Sequence, residues 1–265
     1  MSLQTAEPPS LTLLKHGRCA VIQINRPRRR NALDLATMTQ LVDMIDALNH
    51  DPDAWIVMLT GSGDAAFCAG ADLKEANDLA ASGKGYPTPM TGVVRNVFEA
   101  VLESTKPTIA AINGVALGAG LELAMACDIR LAASHARLGL PEAKRGMGAN
   151  FGSVMLPRLV NRGIALDLLY SGRTVDATEA QRIGLVTQVF AEDVFASKAL
   201  EYAVELSENA PLTLQRYKQM ALKGWEMSIH AALRLNVGPN PYTSEDRAEG
   251  VRAFLEKRKP QWQGR

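Results

Sequence analysis

Three short apolar runs, each closed by a turn-forming cluster and leading on toward helical sequence, constrain this chain most. They are CAVIQI at 19–24, IVMLT at 56–60 and TIAAI at 108–112. Apolar runs of this length between turn formers read as strands. Asn25-Arg26-Pro27 closes the first, Gly61-Ser62-Gly63 the second and Asn113-Gly114 the third. Beyond the first turn, Leu35, Met38, Leu41, Val42, Ile45 and Leu48 recur three or four residues apart, one face of a helix. Asn31 or Asp34 is placed to cap it. Shorter strand candidates follow at 128–132 and 136–140. After residue 190 the strand pattern stops, and 196–206, 212–222 and 245–256 read as helices. The expectation is an α/β core over 1–190 and a helical region over 191–265. The breaker-rich stretch 81–91 (ASGKGYPTPMT) is expected to be a mobile loop of the kind that covers sites.

Charge and composition exclude several functions. Lys and Arg number 29 against 28 Asp and Glu, so no global basic field exists for nucleic acid or an anionic membrane. The three cysteines, Cys19, Cys68 and Cys127, are widely spaced, with no Cys/His cluster. A metal site or disulfide framework is therefore not expected, and a reducing, cytoplasmic compartment is. The N-terminal segment lacks the apolar core of a signal peptide, and no apolar run approaches the ~20 residues of a membrane span.

Two segments rich in small residues follow the second and third strands. They are Phe67-Cys-Ala-Gly-Ala-Asp-Leu73 and Asn113-Gly-Val-Ala-Leu-Gly-Ala-Gly-Leu-Glu-Leu-Ala124. Small residues let backbone approach a ligand closely, and a helix opened there would aim free N–H groups at it. Two such turns facing each other would hold a developing oxyanion. The plainer reading is a pair of tight strand-to-helix turns. Neither GxGxxG nor GxxxxGK[ST] is present, so a nucleotide fold is unsupported.

Glu122 lies among Leu121, Leu123, Ala124 and Met125, and Glu142 follows Pro141. Each is either a helix-dipole carboxylate or one of a buried acid/base pair. His16, His50, His135 and His230 lie near no nucleophile motif, which disfavours Ser-His-Asp catalysis. Cys68 reads as a small packing residue rather than a thiolate. Arg26, Arg28, Arg29 and Arg30 form a local basic cluster. It suits one small polyanion, a solvated turn or an RNA contact, and the neutral overall charge argues against RNA.

In combination these segments resemble the enoyl-CoA hydratase/isomerase (crotonase) family over about residues 11–265. The resemblance is carried by Asn25-Arg-Pro…Asn31-Ala-Leu33, Phe67–Leu73, Ile112–Ala124 running on to Cys127-Asp-Ile129, Leu140-Pro-Glu-Ala-Lys144, and Ser244-Glu-Asp…Glu249-Gly…Ala253-Phe-Leu-Glu-Lys-Arg258. It implies a spiral of ββα units with a C-terminal helical region that mediates trimers, or dimers of trimers. It implies that the Ala71 and Ala119 N–H groups form an oxyanion hole, with Ala119 where hydratases commonly have Gly. Glu122 and Glu142, 20 residues apart, match the hydratase pair. Glu122 would be the principal base on water and Glu142 would protonate the α-carbon. The substrate is an acyl-CoA thioester, with no further cofactor and no metal. The substrate-facing residues implied are Arg26, Arg28, Ala32, Leu33, Ala69, Gly70, Asp72, Leu73 and Gly118, with Phe254 and Lys257 from a neighbouring subunit near the nucleotide. One departure stands out. The usual Pro-x-x-Gly-Gly turn after the second acid is replaced by Gly146-Met-Gly-Ala-Asn-Phe-Gly-Ser-Val-Met-Leu156, one residue shorter, which leaves the acyl group open. An isomerase, a carnitinyl-CoA-type hydratase and an RNA-binding relative are the alternatives.

Overall fold

The computed structural model describes residues 8–83 and 95–265, so most of the expected loop at 81–91 lies outside the described residues. A hairpin of β1 (Leu11–His16) and β2 (Cys19–Ile24) opens the fold. An isolated bridge and α1 (Leu35–His50) follow. Three similar units come next. The first is β3 (Ile56–Gly61), β4 (Ala66–Cys68), α2 (Leu73–Ala81) and α3 (Val97–Leu102). The second is β5 (Thr108–Ile112), β6 (Val115–Leu117) and α4 (Ala119–Ala126). The third is β7 (Ile129–Ala133), β8 (Arg137–Gly139), α5 (Asn150–Leu159) and α6 (Arg162–Ser171). Then come β9 (Thr174–Asp176), α7 (Ala177–Arg182) and β10 (Gln188–Phe190), followed by α8 (Phe195–Ser207), α9 (Pro211–Gly224), α10 (Ile229–Ala232) and α11 (Glu245–Leu255).

Each unit sends its first strand to a six-stranded sheet, ordered β1-β2-β3-β5-β7-β10, and its second to a four-stranded sheet, ordered β4-β6-β8-β9. Pairing is parallel except at β1–β2 and β8–β9. This is the expected spiral of ββα units. The apolar runs do not alternate with polar residues because both faces of the six-stranded sheet are covered. Ala20, Ile22, Val57, Leu59, Ala110, Ile112 and Ala132 enter the core shared with the other sheet and helices. Cys19, Val21, Ile56, Met58, Ile109, Ala111, Leu131 and Ala133 enter a second core, closed by Phe195, Ala199 and Ala203 of α8.

The expected strands and the helices at 35–48, 196–206, 212–222 and 245–256 all occur, with ends shifted by a few residues at most. The strands β1, β4, β6, β9 and β10 were not foreseen. Four of them are three residues long, too short for a period to show. In β1, Leu13 and Leu14 stay 40% and 50% exposed, so no buried stripe announces it.

Candidate active site

The first loop and the small-residue segment at 67–73 fold onto each other. Ala69 N–H donates to Arg30 O (3.0 Å), Leu33 N–H to Gly70 O (2.8 Å) and Asp72 N–H to Leu33 O (2.8 Å). Successive residues of an extended strand point their N–H groups to opposite sides. Because Gly70 and Asp72 serve Leu33, the Ala71 N–H points away from it. Buried Asn31, in a left-handed conformation (φ 57°), fastens this loop by donating to Ser62 O (3.0 Å) and Ala66 O (2.7 Å). Asp34 is the actual cap of α1, accepting from Thr37 N–H at 2.8 Å.

Arg26 is engaged within the chain. Its guanidinium pairs with Asp34 (2.6 Å) and Asp72 (3.0 Å) and also donates to Ala32 O. Burial would raise the Asp72 carboxyl, but Arg26 and the Glu75 N–H hold it below its ordinary range. Asp72 also caps α2. These two residues therefore clamp the loops, and the cations left facing solvent are Arg28, Arg29 and Arg30.

The second small-residue segment faces the first. A Cβ on Gly70 (φ +113°) would lie 3.0 Å from Leu117 O and 3.8 Å from Ala119 N. Ala119 is the first residue of α4, where an N–H has no acceptor within the helix. Its N-cap, Gly118, has φ 53° and ψ −127° and offers no capping side chain. A Cβ on Gly120 would collide with Cys68 O, so α4 packs directly on the β4 backbone. Burial pushes the Cys68 thiol up to about 12, which agrees with a packing role.

Both glutamates reach this junction. Glu122 is 5% exposed, in the first turn of α4, and its Oε1 accepts from Gly152 N–H at 2.8 Å. Burial pushes its carboxyl up to about 7. The Gly152 and Phe151 N–H groups oppose the rise and the Glu142 charge adds to it. Glu142 lies on a 3-10 turn, Pro141–Arg145. A Cβ on Gly118 would sit 2.8 Å from its Oε1, while its Oε2 is buried with no hydrogen-bond partner among the described residues. Burial raises the Glu142 carboxyl too, against its own backbone N–H and Arg145. Two carboxyls of raised affinity for protons beside two N–H donors can exchange protons with a substrate while holding an oxyanion.

The structure thus gathers Glu122, Glu142, Gly70, Ala71, Gly118 and Ala119, with Ala32, Leu33, Ala69 and Asp72 behind or beside them. Leu73 is half-exposed at the start of α2. Phe254 is 82% exposed on α11, and neither it nor Lys257 makes a hydrogen bond or ion pair with the gathered residues. The sequence reading missed the part played by Gly152, whose N–H holds Glu122. Its signal was the Gly146-Met-Gly-Ala-Asn-Phe-Gly152 run, which was assigned no residue role.

Among the described residues, no group of three or more His, Cys, Asp or Glu is placed to hold a metal. The family profile for enoyl-CoA hydratase/isomerase matches residues 15–265. The chain is 38% identical over 253 residues to crotonyl-CoA hydratase of Syntrophomonas wolfei, covering 94% of this chain and 96% of that one. It is 37% identical over 261 residues to 2,3-dehydroadipyl-CoA hydratase of Escherichia coli, covering 96% and 99%. An enoyl-CoA hydratase structure from Bacillus anthracis superposes with a TM-score of 0.88 at 34% identity, covering 97% of this chain and all of that one. Fold and sequence agree, and the chain belongs to the enoyl-CoA hydratase/isomerase family.

Proposed function

We propose that this protein is an enoyl-CoA hydratase, adding water across the 2,3-double bond of a 2-enoyl-CoA thioester. The observation that carries this reading is the Glu122–Glu142 pair beside the Ala71 and Ala119 N–H groups. The two N–H groups donate to the thioester oxygen and stabilise the enolate as charge moves onto it. One water sits between the carboxyls. Glu122, ionised, takes its proton as oxygen adds to the β-carbon, and Glu142 delivers a proton to the α-carbon. No metal or second cofactor enters these steps.

Arg28, Ala32, Leu33, Ala69, Gly70, Leu73 and Gly118 form the surface along the CoA ester in this reading, with Arg26 and Asp72 supporting it. Residues 191–265 are the oligomerising region of a homotrimer or dimer of trimers, and Phe254 and Lys257 serve the CoA of a neighbouring subunit. Exposure of Tyr217, Trp225, Ile229, Leu233, Tyr242 and Phe254 supports this assembly. Three buried, free cysteines support a cytoplasmic location. None of the helices among the described residues is long and apolar enough to cross a membrane.

The two relatives differ in acyl group at nearly equal identity, so identity does not rank acyl groups. A panel of 2-enoyl- and 3-enoyl-CoA esters, with products identified, tests the reading. Hydration of crotonyl-CoA is expected. Conversion of 3-enoyl to 2-enoyl esters without hydration would replace it with the isomerase.

A further inference from the structure

We propose that Arg145 makes this site favour 2-enoyl-CoA esters whose acyl end carries a carboxylate. The inference rests on the hydratase reading and extends it to the acyl group. It starts from the local geometry of Pro141–Arg145, a 3-10 turn that follows Pro141 and is closed by Gly146 at φ 65°. In such a turn, residues three apart eclipse one another. Glu142 and Arg145 therefore share a face, about 6 Å apart along the axis at the usual rise. Lys144 does not share it, because its side chain packs where a Cβ on Gly172 would lie 3.2 Å from its Cγ.

Arg145 is exposed, and its only hydrogen bond among the described residues is a 3.4 Å contact from Nη1 to Pro141 O. Among the described residues no carboxylate lies within ion-pair distance of it, whereas Arg26 and Arg173 are each held by two acids. Its charge nonetheless acts on Glu142. The same Glu142 presents a buried oxygen without a partner, which marks this face as the one turned to ligand.

The direction of the acyl chain follows from the site. With the thioester oxygen at Ala71 and Ala119 and the β-carbon at the carboxyl pair, the remaining acyl carbons run past Glu142. A carboxylate a few carbons beyond the β-carbon then lies toward the Arg145 end of this turn. A planar guanidinium without a partner recognises a carboxylate with two parallel hydrogen bonds.

The test compares 5-carboxypent-2-enoyl-CoA with hex-2-enoyl-CoA, equal in carbon count and differing in terminal charge. The purified native protein is expected to favour the carboxylated ester in kcat/KM by about two- to fivefold, the range for a solvent-accessible charge pair. Arg145→Gln should abolish that preference, Arg145→Lys should keep part of it, and Arg145→Glu should reverse it. Each ratio is taken within one protein sample, so changes in folded fraction, or in the Glu142 proton affinity common to both esters, cancel. Native hydration of both esters without a charge preference, or an unchanged ratio in Arg145→Gln, overturns this inference alone. Hydration of neither ester overturns it together with the hydratase reading.

Discussion

Glu122 is a carboxyl held against its own ionisation. Its unfolded value is the usual 4.5, and burial lifts it to about 7. Between those values the native protein binds more protons than the unfolded chain, so this group lowers stability as pH rises through the window. Above about pH 7 the penalty is complete. Glu122→Gln is therefore expected to raise the midpoint of thermal unfolding by a few degrees at pH 8. That gain should vanish near pH 4, and melting curves at the two values check it. The same variant should lose hydration by roughly 10²–10⁴-fold. In the native enzyme, kcat/KM should fall as pH drops through an apparent value near 7, because the ionised base is consumed by protons. A second prediction concerns Gly118. Its φ 53° and ψ −127° suit only glycine, and a Cβ would stand 2.8 Å from Glu142 Oε1. Gly118→Ala should lower stability by about 1–3 kcal/mol. It should also cut turnover more than CoA-ester affinity, since the displaced group is the proposed proton donor. Separate kcat measurement and binding titration would show this.

At the scale of elements, helix N-termini divide by what fills them. Asp34 caps α1, Asp72 caps α2 and Asn96 caps α3 with a reciprocal bond from Glu99. Gly118 at the start of α4 has no side chain to do so. No capping side chain therefore occupies the first donors of α4, as the proposed oxyanion role requires. The other caps stabilise without facing the acids. Asp34→Ala removes the Thr37 bond and one of the two acids on Arg26. It should cost about 1–2 kcal/mol, read from denaturant unfolding. Because Arg26 also holds Ala32 and Asp72, weaker CoA-ester binding should accompany the loss.

Across the whole molecule, the helical region and the spiral are joined by charge as well as by apolar contact. Lys218 of α9 is buried, with Nζ 2.9 Å from Asp128 Oδ2 and 3.1 Å from Lys106 O. Asp128 also accepts from Thr108 N–H at 2.7 Å, so one cation locks α9 to the start of β5 and the end of α4. Removing it leaves a partly buried carboxylate and a buried carbonyl unmatched. Lys218→Ala should destabilise by about 2–3 kcal/mol, reduced from a fully buried pair because Asp128 is 32% exposed. Unfolding midpoints would measure that loss, and sedimentation would show whether the proposed assembly loosens with it.

What the sequence determined by itself is local and ordered. Strand and helix periods are written in residues a few positions apart, so CAVIQI, IVMLT, TIAAI and the helices past 190 were legible. The two small-residue segments and both acids were legible as motifs, and so was the family. The tertiary structure decided what depends on approach between residues far apart in the chain. Three-residue strands such as β4 and β6 carry no period and exist because neighbours pair with them. Arg26 read as one member of a basic cluster suited to a polyanion, until Asp34 and Asp72 closed on it. Glu122 read as either a dipole carboxylate or a buried acid, and only packing under Gly152 and beside Glu142 raised its proton affinity. The reason is physical: a side chain's intrinsic preference travels with its neighbours in sequence, whereas burial, charge pairing and a freed N–H are properties of the enclosure.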